Sequence, residues 1–495
     1  MAIFLGVDVG TYETKGVLAD ETGRILASAA RRHKMLVPQP GWAEHRPDED
    51  WWGDFVHVTQ QLLTETRIDA RDIKAVATSA IGPCMLPVDA DGRPLMNGVL
   101  YGVDTRSVDE IAELNARIGD NVIHARCGNA LTSQATGPKM LWLKRKRPEI
   151  HAKTAKFLTS TSYLTWKLTG RYAIDHYSAA NSAPLYDVEK QDWTFDLAGD
   201  IATREQLPDL LWSSEIAGEV TPAAAAETGL VAGTPVTAGT IDAAAEALSV
   251  GVAAPGAMML MYGSAVFITM ATAHPGRDPR LWYAPWLFAG EHASMAGIAT
   301  SGTLTHWFRD QLARDLEAAE AFPSLVKEAA TSPLGANGLL LLPYFSGERH
   351  NQHAKGALFG LNLTHTRGDL FRAFLEGIAY AANIVFETYA EIGNSPQRVV
   401  AVGGGVKNRL WLQAMSDVCG VDQFICRQSI GASYGDAFLG ALATGAVKRR
   451  DIAQWNPVAD TVQSTRRPVY DRQYRLFRRL YEQTRDIAEE LGAGR

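Results

Sequence analysis

The sequence predicts an α/β chain of two similar lobes, and three observations carry that prediction. Segments with strand patterning alternate with segments of helical spacing along most of the 495 residues. A hairpin built on a glycine turn, GVDVGTYETKG, stands at residues 6–16, and its design recurs in MLMYGSAVFITM. The length allows two or three domains at about 100–200 residues each, enough for two large cores.

From residue 2 to 30, AIFLGVDV, TKGVLA and RILASAA read as three strands joined by tight turns, an antiparallel meander. KAVATSAI and MLPVD continue as strands, with DADGRPL a turn rich in Asp and Gly. VDEIAELNARI, GPKMLWLKRKRPE and TSYLTWKLTG place apolar residues three and four apart, as helices do, and Gly170 ends the last as a C-cap. In the second half PVTAG is a strand and DAAAEALSV a helix, followed by the second glycine-turn hairpin. RGDLFRAFLEGIAYAANIVFETYAEIG is a long amphipathic helix, RVVAVGG a buried strand, VKNRLWLQAMSDV a helix and VDQFIC a strand. No low-complexity linker intervenes, so a packed hinge is expected between lobes at 1–240 and 241–495.

A composition of 46% hydrophobic and 21% charged residues is that of a globular protein, and a net charge of -7 argues against a nucleic-acid or anionic-membrane surface. Small, discrete ligands are favoured. Cys84, Cys127, Cys419 and Cys426 show no C-x-x-C spacing, which fits a reduced, cytoplasmic setting. AIFLGV is too short for a signal-peptide core, and no run of 18 apolar residues occurs, so neither export nor a membrane span is expected.

Asp8 interrupts an apolar strand, and a buried carboxylate needs a cation or a ring of donors. With Gly10, Thr11 and Lys15 it puts a carboxylate, a glycine turn, a hydroxyl and an ammonium group into one hairpin. Backbone amides at such a turn can approach phosphate oxygens, and the carboxylate can reach magnesium or its waters. A plain hairpin is the simpler alternative, and the aspartate decides against it. Gly263-Ser264 repeats the device. Gly403-Gly404-Gly405 lies between a strand and a helix, where free amides and the helix dipole favour a nucleotide. A dinucleotide fingerprint would need a glycine where Asn408 stands. No P-loop or protein-kinase signature is present. Asp242 directly follows a strand and starts a helix, as an N-cap does, or else as a general base with one free oxygen. His350 and His353 are read as surface polar residues, and the aromatic and arginine-rich C-terminal stretch as a solvated helix.

Taken together, these segments resemble the FGGY family of carbohydrate kinases, in the branch similar to xylulokinases. The likeness runs through GVDVGTYETKG, PGWAEHRPDEDWW, YGVDTRS, GPKMLWLKRKRPE, TSYLTWKLTG, AGTIDAAAEALSVG, MLMYGSAVFI, SGTLTHWFRD, GERHNQHAKGALFGL, RAFLEGIAYA and VGGGVKNRLWLQAMSDV, nearly the whole chain. The resemblance implies two ribonuclease H-like lobes of the actin and hexokinase type, closing on ATP, Mg2+ and a small sugar. It places Asp8, Gly10, Thr11 and Lys15 near phosphates and metal, Gly263 and Ser264 as a second phosphate loop, and Gly302, His306, Gly404, Gly405 and Asn408 around the nucleotide. Asp242 matches the catalytic base and, with Asp8, a metal ligand. Asp104 and Arg106 match a sugar-side Asp-x-Arg, and a homodimer is implied.

Where the xylulokinase-like pattern has Gln-Met-His-Gly, this chain has Ile81-Gly82-Pro83-Cys84, which places Gly82 and Pro83 on the substrate side. Ala243 follows the catalytic aspartate in place of asparagine, Tyr101 replaces a tryptophan, and the glycerol-kinase Arg-Glu pair is absent. Fewer polar groups there leave fewer hydroxyls to be recognised. The expected reaction is ATP-dependent phosphorylation of a ketopentose such as D-xylulose. The alternatives are another pentulose such as ribulose, a polyol such as glycerol or erythritol, or a sugar acid. A non-catalytic actin-like ATPase is the alternative of another class.

Overall fold

The computed structural model describes residues 2–348, 351 and 353–493, and among these no helix is long and apolar enough to cross a membrane. Two compact units form. The first holds the chain up to Pro255 with Ala271–Ser294 and Ile430–Pro457; the second holds Gly256–Met270, Met295–Ser429 and the chain from Val458. A single cut at 240/241 does not describe this partition. The Asp242–Ser249 and Ala432–Ala443 helices both belong to the first unit, packed together by small residues.

The first unit is built on a seven-stranded sheet in the order Ile216–Glu219, Pro235–Thr237, Ile73–Ala80, Ile3–Val9, Glu13–Asp20, Ile25–Arg32, with Thr240–Ile241 added beside Ile73–Ala80. The expected meander is present: Ile3–Val9, Glu13–Asp20 and Ile25–Arg32 pair antiparallel in sequence. Ile73–Ala80 joins the first strand in parallel, and Thr240–Ile241 joins Ile73–Ala80 in parallel. This register sets Asp8 opposite Ser79 and Ser79 opposite Thr240. The three strands therefore end side by side, and Asp242 follows at that carboxyl edge, where open α/β sheets bind ligands.

Helices cover both faces of the sheet. On one, Val58 and Leu62 of the Asp54–Thr66 helix press on Gly16, in a core that includes Trp51, Phe55, Val7 and Val76. On the other, Ala432–Ala443 lies so close that a Cβ on Gly6 would stand 2.0 Å from the Ser433 carbonyl oxygen. Its own Gly435 approaches the Asp242–Ser249 helix, where a Cβ would come within 1.9 Å of the Ala245 carbonyl oxygen. Backbone stands on both sides, so Gly435→Ala is expected to destabilise the unit by about 3 kcal/mol, as overpacking does. An unchanged denaturant midpoint would show that the two helices can part there without cost.

The second unit repeats the plan. Ala257–Tyr262 and Val266–Thr272 form an antiparallel hairpin, and Arg398–Val402 joins the former in parallel. Gln423–Cys426 continues in parallel and Val458–Val462 closes antiparallel. The repeated glycine hairpin thus reports a repeated sheet. The helix expected from RGDLF onward spans Arg367–Glu391, opened by a capping box of Thr366 with Asp369.

Candidate functional site

At the carboxyl edge of the first sheet, four acidic side chains from distant segments gather. Asp8 is the next-to-last residue of its strand, Asp242 opens a helix, Glu246 follows one turn later, and Asp436 comes from the Ala432–Ala443 helix. Ser79 Oγ lies 3.1 Å from Asp8 Oδ1 and 2.7 Å from Asp436 Oδ2. A hydroxyl has one proton to give, so the two carboxyls compete for it. Burial raises the Asp8 pKa to about 7, opposed by the Ser79 bond, reinforced by Glu246 and relieved in part by Lys15. Burial, and after it the Asp8 charge, lifts Asp242 well above the usual carboxylate range. Asp436 is raised for the same two reasons, and its buried Oδ1 has no partner among the described residues. Lys15 is exposed, 3.5 Å from Glu13.

Asp242 is the first residue of its helix, not the residue before it. Its Oδ1 accepts from the Ala243 amide at 2.7 Å, and Oδ2 has no hydrogen-bond partner among the described residues. One oxygen is engaged and one is left for chemistry. Around it stand Gly82, whose absent Cβ leaves room for Ile241, and Cys84 and Tyr101, both of which feel the Asp242 charge. Tyr101 shares a hydrogen bond with the Thr11 side chain. Pro83 is buried beside them in sequence. Buried Lys139 braces the segment before Tyr101, donating to the Leu100 and Ser133 carbonyls at 2.8 and 2.6 Å.

Asp104 and Arg106 do meet, but they face each other. The guanidinium grips both Asp104 oxygens at 2.8 to 3.0 Å, Ala43 N takes Asp104 Oδ2 at 2.7 Å, and Glu44 adds a second carboxylate. Arg106 also lies 3.9 Å from the Trp42 ring centroid and 5.0 Å from that of Trp142. The pair is buried, and among the described residues Arg106 Nη1 has no partner.

In the second unit the structure joins residues that the sequence holds far apart. Gly302 N donates to the Gly263 carbonyl, and Ser301 N and Thr303 N to that of Ser264, each at 3.1 Å. A Cβ on Gly302 would stand 2.3 Å from that Gly263 oxygen. The glycine run arrives from the other side: Gly403, at φ +91°, passes so near Tyr262 that a Cβ would lie 2.7 Å from its carbonyl oxygen. A Cβ on Gly404 would meet open space, whereas one on Gly405 would strike Tyr262 and Trp411. Gly263, Ser264, Gly302, Gly404 and Gly405 therefore form one cradle. Asn408 caps the next helix, its Oδ1 accepting from Trp411 N at 3.1 Å, and exposed His306 packs its ring edge-on against Phe322.

Among the described residues no group of three or more His, Cys, Asp or Glu is arranged to hold a metal. His350 lies outside the described residues. Magnesium does not require such a cage, since it keeps several waters and binds through one or two carboxylates with substrate phosphates. Crowded carboxyls with one buried oxygen unpartnered fit that demand.

Sequence reading missed Asp436, Ser79 and Glu246. The signal for Asp436 was present, an aspartate inside the apolar run SYGDAFLGALA. It also missed His33 and His45 beside the Gly10 turn, which stand in polar stretches and carry no pattern.

Residues 3–249 match the N-terminal domain of the FGGY family of carbohydrate kinases and residues 258–444 its C-terminal domain. The chain is 30% identical over 504 residues to a xylulose kinase of Escherichia coli (strain K12), covering 97% of this chain and 99% of that one. A gluconokinase of Bacillus subtilis (strain 168) is 27% identical over 495 residues, covering 96% and 94%. Among solved structures, a xylulose kinase from Rhodospirillum rubrum superposes with a TM-score of 0.94 at 31% identity, covering 98% of this chain and 99% of that one. Edge carboxylates on one sheet, a repeated glycine hairpin on another and domain matches along most of the length lead to one conclusion: the chain belongs to the FGGY family of carbohydrate kinases and is itself a carbohydrate kinase.

Proposed function

We propose that this kinase transfers the terminal phosphoryl group of ATP to a hydroxyl of a ketopentose, with D-xylulose the leading substrate and Asp242 the general base. The observation that carries the reading is the Asp242 carboxyl: one oxygen fixed by Ala243 N, the other unpartnered, in surroundings that raise its affinity for a proton. A base works best with a pKa near the operating pH, and an ordinary aspartate is too weak.

The sugar hydroxyl is deprotonated by Asp242 Oδ2 as its oxygen attacks the phosphoryl group. The Thr11 and Tyr12 amides of the Gly10 turn, which donate to no protein group among the described residues, are the donors assigned to phosphate oxygens, fixed in place before reaction and so free of reorganisation cost. Gly404 leaves room for the nucleotide's nearer face. A magnesium ion held at Asp8 would supply positive charge that favours that carboxylate in its ionised form and neutralises phosphate oxygens, leaving Asp242 Oδ2 free for the proton. Gly82, Pro83, Cys84 and Tyr101 flank the acceptor side and offer a small, sparsely polar wall.

Xylulose kinases among the relatives support the pentulose, and the gluconokinase marks the sugar acid as its competitor. A coupled ATP assay over D-xylulose, D-ribulose, glycerol, erythritol and gluconate separates these. The highest kcat/KM is expected with D-xylulose. Gluconate in first place would overturn the substrate, and ATP consumption indifferent to every acceptor would overturn the mechanism.

A further inference from the structure

We infer that His33 and His45 are positioning residues that hold the Gly10–Thr11 turn in the shape that presents its amides to a nucleotide phosphate. The inference rests on the reading of that turn as a phosphate loop and adds the groups that set its geometry.

His33 Nε2 lies 3.0 Å from the Gly10 carbonyl oxygen and His45 Nε2 3.1 Å from that of Thr11. A carbonyl only accepts, so both ring nitrogens donate. The peptide unit is planar and trans, and its C=O points opposite to the N–H of the following residue. Drawing the Gly10 and Thr11 carbonyls toward the histidines therefore turns the Thr11 and Tyr12 amides the other way. Neither amide donates to the protein among the described residues, whereas Gly10 N is taken by the Glu13 carbonyl at 3.0 Å. Two adjacent donors are thus left aimed and unspent, as an anion-binding turn requires.

The rings are themselves held. Trp51 Nε1 donates to His45 Nδ1 at 3.1 Å, which places the remaining ring proton of His45 on Nε2. Burial, and after it the neighbouring His33, holds the His45 pKa down at about 4, against the opposing charges of Asp50 and Asp54. His45 therefore stays the neutral tautomer that the Thr11 bond needs. His33 Nδ1 stands 2.8 Å from Asp54 Oδ2, which also accepts from Thr14 at 3.1 Å, while Arg31 holds Asp54 Oδ1 at 3.0 Å. The two imidazoles touch edge to face, centroids 4.9 Å apart. The pair forms a brace that acts through the backbone.

Amide substitutions separate the two bonds of each ring. A glutamine nitrogen reaches roughly where Nε2 stands, and an asparagine amide roughly where Nδ1 stands. H45Q thus keeps the donor to Thr11, while H45N keeps an acceptor for Trp51 and releases Thr11; H33Q and H33N split the Gly10 and Asp54 bonds likewise. The measurements are MgADP affinity by calorimetry, KM for ATP and for sugar, kcat and melting temperature. H45N is expected to weaken MgADP binding and raise the ATP KM about 10-fold, the worth of one positioned hydrogen bond, with the sugar KM unchanged and H45Q close to wild type. Equal losses in H45N and H45Q that follow a fall in melting temperature, or no change in nucleotide affinity in any of the four variants, would overturn the inference. Gly10→Ala is the control for the underlying reading. If it leaves MgADP affinity intact, the phosphate-turn assignment falls and the histidine role with it. If it weakens binding while the asparagine variants do not, the histidine role alone falls.

Discussion

Asp242→Asn is expected to lower kcat by about 10²- to 10⁴-fold, the usual contribution of a general base, while MgADP still binds. Asparagine has nearly the same shape and can still accept from the Ala243 amide, so the helix start should survive. It then presents an amide NH2 where the base oxygen stood, and so has no proton affinity there. Single-turnover phosphorylation by the variant, set beside its melting curve and its nucleotide affinity, isolates the chemical step. A variant that turns over at the wild-type rate would reduce Asp242 to a residue that orders the first turn of its helix.

Asp8→Asn should abolish efficient turnover and, without ligands at neutral pH, make the protein more stable. The Asp8 pKa rises on folding from 3.8 to about 7, so the folded state binds the proton more tightly than the unfolded one. Wild-type stability is therefore fullest below about pH 4 and declines as pH rises through about 7, by up to about 4 kcal/mol for a shift of this size. Neighbouring carboxyls share the proton uptake, which makes that figure an upper bound. The asparagine variant lacks this decline. Its denaturation midpoint should match wild type near pH 4 and exceed it near pH 8, with magnesium and nucleotide narrowing the gap. A gap of one size at every pH would show that the Asp8 carboxyl is not under strain. Strain at a site of this kind is the expected exchange of stability for function.

Much of this molecule was legible in one dimension, for identifiable reasons. The antiparallel meander, the Arg367–Glu391 helix and the repeated hairpin follow from side-chain period and turn chemistry, which act over a few residues. Asp8 was conspicuous because a charged residue in an apolar strand demands an explanation. The same argument applied to Asp436, yet the helix that carries it is apolar on most faces and rich in glycine and alanine, with weak periodicity to mark it. Asp104 and Arg106 show what spacing does not announce: the guanidinium grips both oxygens of its neighbour's carboxylate in the interior.

Local propensity and burial cost are written in neighbouring residues, so the elements, the two glycine hairpins and the carboxylates that could do chemistry are readable along the chain. Which groups meet is a matter of the folded arrangement. Ser79 and Asp436 are 357 residues apart and share a hydrogen bond, and His33 and His45 reach the turn through a register no local pattern reveals. Such encounters depend on strand order and on helices approaching at Gly6 and Gly435, and those are settled by the packing of the whole unit.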